Sequence, residues 1–476
     1  MPYDSRHKAQ RRNPWLVVAV ACLGMTMSFL TITATTSALT SIADDLGLGP
    51  VELVWTSSAY ALALAALVLS SGALGDLAGR RTVFQAGTAV MGLGAVVTAT
   101  ATSPAAVITG EVVLGAGAAL VVPNSLALVA GAFTDPRRRA SAVGVWAACS
   151  GIGLAVGPVV AGALLNAWTW HVVFLVDVAV AVVVLAASPF ALPDPRVPGR
   201  GVDVPGTALA TAAVAGLVVT VVEGGRAGFT APVPLLAALG TALAAAGFVA
   251  VERRSARPVV RFGVFADRRS VAALLVAGVA LFSFTGLALL ATLQMQRAQG
   301  FSPLASGTRL LPLTVAYVVV SSLAAAVVAR AGARATLTAG LASTVAGVLV
   351  LHGATTGYGR EAAGFVLVGA GLGLLIAPTT ALVVGGVAPE LTGMAGAVVT
   401  TVRQVGTALG GSVLGTVVTH RLPAHGGALT PAVHDGLLVA AAVLLLVLLA
   451  TAVLLRPAAT RPAPVTARDT PGGILA

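Results

Sequence analysis

The chain has 476 residues, of which 57% are hydrophobic and only 9% charged, and its formal net charge is +11. A water-soluble globular domain of this length needs far more charge, so lipid is the expected solvent. The basic residues gather in alternate loops, which marks them as topology signals and argues against nucleic acid as a partner.

Fourteen apolar stretches follow in order at 14–39, 52–74, 82–101, 104–132, 140–165, 170–192, 204–222, 231–251, 271–293, 304–328, 335–351, 361–387, 391–418 and 435–455. Most are near the roughly 20 residues that cross a hydrocarbon layer about 30 Å thick. Every backbone amide in a bilayer must bond within its own segment, so these stretches are expected to be helices. With the N-terminus in the cytoplasm, 22 of the 28 basic residues fall on that side. Arg226, Arg297, Arg360 and Arg421 fall opposite, while Arg309 and Arg403 fall inside spans. The positive-inside rule then puts both termini in the cytoplasm of a multi-pass protein of the cell membrane.

The longest internal loop and a Pro-rich, Gly-rich break bracket the seventh and eighth stretches. The expected organisation is a tail at 1–13, a six-helix half at 14–192, an inserted pair at 193–252, a loop at 253–269, a second six-helix half at 270–456 and a tail at 457–476. Two such halves around a central site are the build of a rocking transporter.

Cys22 and Cys149 lie in apolar helices and read as small buried hydrophobes. His171, His352, His420, His425 and His434 stand at or beyond the external helix ends without metal-ligand spacing, so no metal or cofactor is expected. A Gly-x-x-x-x-Gly-Lys phosphate loop is lacking, which excludes ATP as the energy source. Of the 17 Asp and Glu, only Glu111 and Asp177 fall well inside spans. A charge within hydrocarbon costs several kcal/mol, so both are proton-coupling candidates.

Several segments carry a resemblance. Between the second and third stretches the chain reads Gly72-Ala-Leu-Gly-Asp76-Leu-Ala-Gly79-Arg80-Arg81, a tight turn with an acid and paired Arg suited to a charge latch between helices. The fifth stretch carries Gly153-Leu-Ala-Val-Gly157-Pro158 with Gly162, where glycines and a proline allow close approach and bending. Further pieces are Trp55 with Tyr60, Leu293-Gln294 ahead of Gly300-Phe-Ser302-Pro303, and Arg403-Gln404-Val-Gly406. Together they resemble the major facilitator superfamily, and within it the fourteen-helix drug:proton antiporters, over about 30–417. The resemblance implies an all-α integral membrane protein with the major facilitator fold, two six-helix halves plus two inserted helices.

Two departures stand out. Thr31 occupies the position where relatives carry a helix 1 acid, and Glu111 the position where they carry an Arg in helix 4. With a rise of 1.5 Å per residue, Thr31, Glu111 and Asp177 would lie roughly 10 to 15 Å below the external surface. The carboxylate is therefore expected to have moved from helix 1 to helix 4, with help from Asp177, where relatives tend to have Asn. The expected substrate cavity draws on Thr31, Tyr60, Asn124, Gln294 and Arg403.

The reading that follows is a secondary transporter, not an enzyme, acting as a monomer and exporting small amphipathic compounds such as antibiotics in exchange for protons. An uncoupled facilitator, or an exporter of neutral or acidic natural products, is the alternative that the missing helix 1 acid leaves open. A membrane enzyme would need a catalytic cluster at one face and a sensor an added soluble domain, and the sequence has neither.

Overall fold

The computed structural model describes residues 13–193, 204–255, 260, 267–354, 357–387 and 392–455. The expected tails at 1–13 and 457–476, apart from Asn13, and most of the loop at 253–269 lie outside the described residues. The described chain is helical throughout and contains no strand. Its helices are α1 (Pro14–Leu46), α2 (Pro50–Ala78), α3 (Arg80–Ala99), α4 (Pro104–Gly131), α5 (Pro136–Ala167), α6 (His171–Ala191), α7 (Val204–Ala227) and α8 (Pro232–Arg254). There follow α9 (Arg268–Thr292), which continues into a π turn at Leu293–Ala298, then α10 (Pro303–Arg309), α11 (Leu311–His352), α12 (Tyr358–Gly385), α13 (Thr392–Arg421) and α14 (Leu429–Leu454).

Local chemistry sets the starts. Asn13, Ser103, Asp135 and Ser302 each accept a backbone N–H of the first turn, and each is followed by proline at the first helical position. Those side chains satisfy amides the helix cannot bond itself, and proline brings a φ already suited to the helix. Hydropathy marked only the apolar part of α1, which runs beyond 39 to Leu46 because the polar residues that follow remain helical. The tenth and eleventh expected stretches fall on the joined pieces α10 and α11. The chain breaks at Gly332, where φ is 77° and ψ 159°, a conformation open to glycine and strained for other residues. Among the described residues, eleven helical segments are long and apolar enough to cross a membrane.

Two separate apolar cores organise these helices. One is built from α1–α6 and their connections around Phe84, Met91, Leu114 and Phe174. The other is built from α9–α14 around Phe282, Leu337, Leu372 and Leu444, with Leu154 of α5 reaching into it. In the first bundle α1 packs on α4, α5 and α6; in the second α9 packs on α12, α13 and α14. The bundles meet along α2 with α13 and along α5 with α10 and α11, while the α7–α8 hairpin leans on α2 and α13.

Among the described residues, a set of hydrogen bonds and an ion pair join the bundles at one end. Gln296 Nε2 donates to the Ser37 carbonyl at 3.4 Å, Thr40 Oγ1 donates to Gln296 Oε1, and Arg297 donates to the Thr40 carbonyl at 3.3 Å. Arg297 also pairs with Asp44 at 2.6 Å. Ser412 bonds Ser58 at 2.9 Å, which ties α13 to α2. This end, where α1 leads into α2 and the π turn leads into α10, is sealed.

Close crossings depend on glycine. A Cβ on Gly115 would collide with the Tyr60 backbone carbonyl, whereas one on Gly396 meets nothing within 4 Å. Gly115→Ala is therefore expected to lower the thermal unfolding temperature in detergent, at a cost of about 1–3 kcal/mol from overpacking. Gly396→Ala should leave it unchanged or raise it, since alanine favours the helix. Equal melting of the two variants would contradict this packing.

Candidate functional site

One face of α1 carries hydroxyls at a spacing of one turn, and they meet the two intramembrane acids. Thr35 Oγ1 lies 2.9 Å from Glu111 Oε1 on α4, and Thr31 Oγ1 lies 2.9 Å from Asp177 Oδ2 on α6. Positions four apart share a helix face, so a single helix addresses both carboxyls. Glu111 and Asp177 are each 1% exposed. Tyr60 of α2 belongs to the same cluster, with its hydroxyl donating to the Ser28 carbonyl at 2.6 Å.

The polar partners of these acids are hydroxyls. Among the described residues neither acid forms an ion pair, and Asp177 Oδ1 has no hydrogen-bond partner. An ionised carboxylate held this way has no counter-charge, which in a low-dielectric interior costs several kcal/mol. Thr31 adds a degree of freedom. Its one hydroxyl proton is within reach of both Asp177 and the Met27 carbonyl at 3.0 Å. Directed at Met27, the hydroxyl leaves its lone pairs free to accept from a protonated Asp177; directed at Asp177, it serves a carboxylate.

The other candidate residues sit elsewhere. Asn124 of α4 donates to the Ser71 carbonyl and hydroxyl at 3.3 and 3.0 Å and packs against Gly75, so it braces the end of α2. That is the stretch carrying the latch motif, in which Gly79, at φ 100°, turns α2 into α3 and Arg80 and Arg81 open α3. Asp76 stands in the last turns of α2; its side chain and the surroundings of Gly72 lie outside the described residues. Gly153 and Gly157 of α5 press on α1 at Thr26, Leu30 and Thr33, Gly162 meets the start of α10, and the Pro158 carbonyl faces Gly307. The fifth-helix motif thus forms the seam between α1, α5 and α10.

In the second bundle, Gln294 donates to Thr430 of α14 at 3.3 Å. Arg403 of α13 clasps α12, with one guanidinium nitrogen donating to the Ile376 carbonyl, to Thr379 at 3.1 Å and to Thr380 at 2.8 Å. Arg309, which falls inside an expected span, has its guanidinium 3.8 Å from the Phe301 ring centre and 4.8 Å from that of Tyr358, and pairs with Glu361 at 3.6 Å. Thr31, Tyr60, Glu111 and Asp177 therefore form one cluster, while Asn124, Gln294 and Arg403 belong to three others. Sequence reasoning missed Thr35, Gln296 and Arg297. The Thr31–Thr35 spacing was the signal available for the first; nothing local marks the others.

Comparison with known proteins decides the family. The model of the Major Facilitator Superfamily matches residues 21–411. The chain belongs to this superfamily. It is a multi-pass membrane transporter and not an enzyme. It is 32% identical over 415 residues to the multidrug resistance protein Stp of Mycobacterium tuberculosis, covering 87% of this chain and 77% of that one. It is 31% identical over 417 residues to the tetracenomycin C resistance and export protein of Streptomyces glaucescens, with the same coverage. It is 30% identical over 414 residues to the multidrug efflux pump LfrA of Mycolicibacterium smegmatis, covering 85% and 81%. The crystal structure of the human organic anion transporter MFSD10 shares the fold, with a TM-score of 0.64 at 18% identity over 92% of this chain and 99% of that one.

Arg403 is the most heavily bonded intramembrane charge described in this superfamily member, and removing its partners should cost more than removing the charge itself. A buried ion replaced by an apolar group of similar size is often neutral, whereas a buried ion stripped of its partners is costly. Thr379→Val with Thr380→Val is expected to lower the melting temperature more than Arg403→Met does. The reverse order in detergent melting would contradict the clasp.

Proposed function

We propose that this transporter exports small amphipathic compounds, including antibiotics, across the plasma membrane in exchange for protons, with Glu111 as the principal proton carrier and Asp177 as its helper. The relatives named for multidrug resistance, tetracenomycin C export and multidrug efflux support the substrate class. The observation that carries the coupling is the hydroxyl-bonded acid pair of Glu111 with Thr35 and Asp177 with Thr31, buried and without a cationic partner.

Helix α1 supplies the link. On one face it holds the acids through Thr31 and Thr35; in the next turns Ser37, Thr40 and Asp44 hold the second bundle. Nine residues separate Thr35 from Asp44, a rise of about 13 Å. A charge appearing on Glu111 changes what α4 and α6 ask of α1, and that biases the seal. A cationic or strongly dipolar substrate favours the ionised state and a proton the neutral one, so the two compete, which is what exchange requires.

The same proposal takes the bundles as the rocking halves 14–192 and 270–456, with the sealed end external and both termini cytoplasmic. Fourteen crossings follow if the 50-residue stretch Pro303–His352, too long for one span at about 75 Å, crosses twice around Gly332, and if α7 and the more polar α13 each cross once. Asp76 with Arg80 and Arg81 then stands at the cytoplasmic face, where a latch between helices has to break as the halves rock. The protein works as a monomer in this reading.

Cells with and without the transporter, challenged with a panel of amphipathic antibiotics and dyes at two external pH values, provide the test. The wild type should lower accumulation more at the lower external pH. Glu111→Gln should abolish that pH dependence at unchanged expression, and Asp177→Asn should weaken it less. Normal pH-dependent export by Glu111→Gln would overturn the assignment.

A further inference from the structure

The sequence holds two cysteines, and each taken alone reads as a small buried hydrophobe. The fold brings them together. Along the seam between α1 and α5, Gly157 presses on Leu30 and Thr33, and Gly153, four residues earlier, presses on Thr26 and Leu30. One more step of four on each helix, which keeps to the same face, reaches Cys149 and Cys22. Thr26 Oγ1 donates to the Cys149 carbonyl at 3.3 Å and so fixes that register. A thiol–thiol hydrogen bond joins the pair, and neither sulfur is in a disulfide.

The surroundings are apolar and aromatic. Cys22 belongs to a small core with Val18, Ala21 and Phe133, against which Cys149 and Trp146 pack. Cys22 is 7% exposed, while Cys149 is half-buried and offers the approach. Two thiols side by side do what one cannot. Each is a soft donor, and together they chelate an acceptor that needs two sulfur bonds. An apolar wall penalises charge, so the adduct that suits this place is neutral and carries an apolar body.

We infer that Cys22 and Cys149 form a dithiol site for a trivalent aromatic arsenical, its ring lying against Phe133 and Trp146. The exchange balances without an oxidant. An aryl arsenous acid, with two hydroxyls on arsenic, forms two As–S bonds and loses two As–O bonds, and the two thiol protons leave with the hydroxyls as two waters. Arsenic stays trivalent and the adduct is uncharged. The site needs neither Glu111 nor movement of the bundles, so it stands apart from the export reading.

The probe is phenylarsine oxide, which water converts to that acid, added to the reduced full chain in lipid nanodiscs with empty nanodiscs subtracted. After a wash with excess 2-mercaptoethanol, a monothiol, intact mass should show one phenylarsenic group per chain. Maleimide labelling in SDS should fall from two labels per chain to none. Cys22→Ser and Cys149→Ser should each hold the probe about a hundredfold more weakly, because the second As–S bond is lost together with its intramolecular advantage. The label count is read on the wild type alone, so it tests the site whether or not either variant folds. No adduct surviving the monothiol wash, one label remaining on the loaded wild type, or equal retention by either single-cysteine variant would each overturn the inference.

Discussion

Inside a bilayer a polar side chain has no water to turn to, and this constraint organises the whole protein. Each buried hydroxyl, amide or charge must find a partner on its own helix or on a neighbour, or remain unsatisfied at a cost of a few kcal/mol. Most threonines and serines here solve the problem locally, donating to a carbonyl three or four residues back, as Thr36, Ser37, Thr88 and Thr98 do. The groups that reach across helices are the exceptions. Thr31 to Asp177, Thr35 to Glu111, Asn124 to Ser71 and Arg403 to α12 tie one helix to another. They also mark the places where a change of charge would be felt beyond its own helix.

The rest of the packing can be featureless because those ties carry orientation. Lipid gives helices no hydrophobic reason to associate, so close contact through small residues and a few polar bonds must hold them. Glycines let α4 cross α2 at Tyr60 and α5 cross α1 at Thr33. The resulting bundles have separate cores, meet along two flanks and join by hydrogen bonds at the sealed end.

Much of this was legible in the sequence and some was not, for physical reasons. The apolar stretches gave the helices because hydrocarbon leaves no other backbone solution, and the Asn13-Pro14, Ser103-Pro104 and Asp135-Pro136 pairs mark helix starts by simple capping chemistry. Ends were less legible: α1 passes 39 because hydropathy measures lipid contact, not helicity. Glu111 and Asp177 stood out because intramembrane acids are rare. Their partners did not, since a threonine in a helix normally bonds backward and only the tertiary fold turns Thr35 toward α4. Asn124, Gln294 and Arg403 were grouped with one cavity because all are polar and intramembrane, yet depth in a helix says nothing about which side it faces. Arg297 looked like an external charge from its loop position; its pairing with Asp44 depends on the two bundles meeting.

The central claim is that a buried carboxyl on α4, addressed by α1, exchanges its proton against substrate. Proton release by the purified full-length protein on addition of tetraphenylphosphonium, a permanent amphipathic cation with no proton of its own to give, tests it most directly in weakly buffered solution. The account predicts release from the wild type, little from Glu111→Gln at matched binding of the cation, and an intermediate signal from Asp177→Asn. Undiminished release from Glu111→Gln, or cation binding to the wild type with no release, would contradict it.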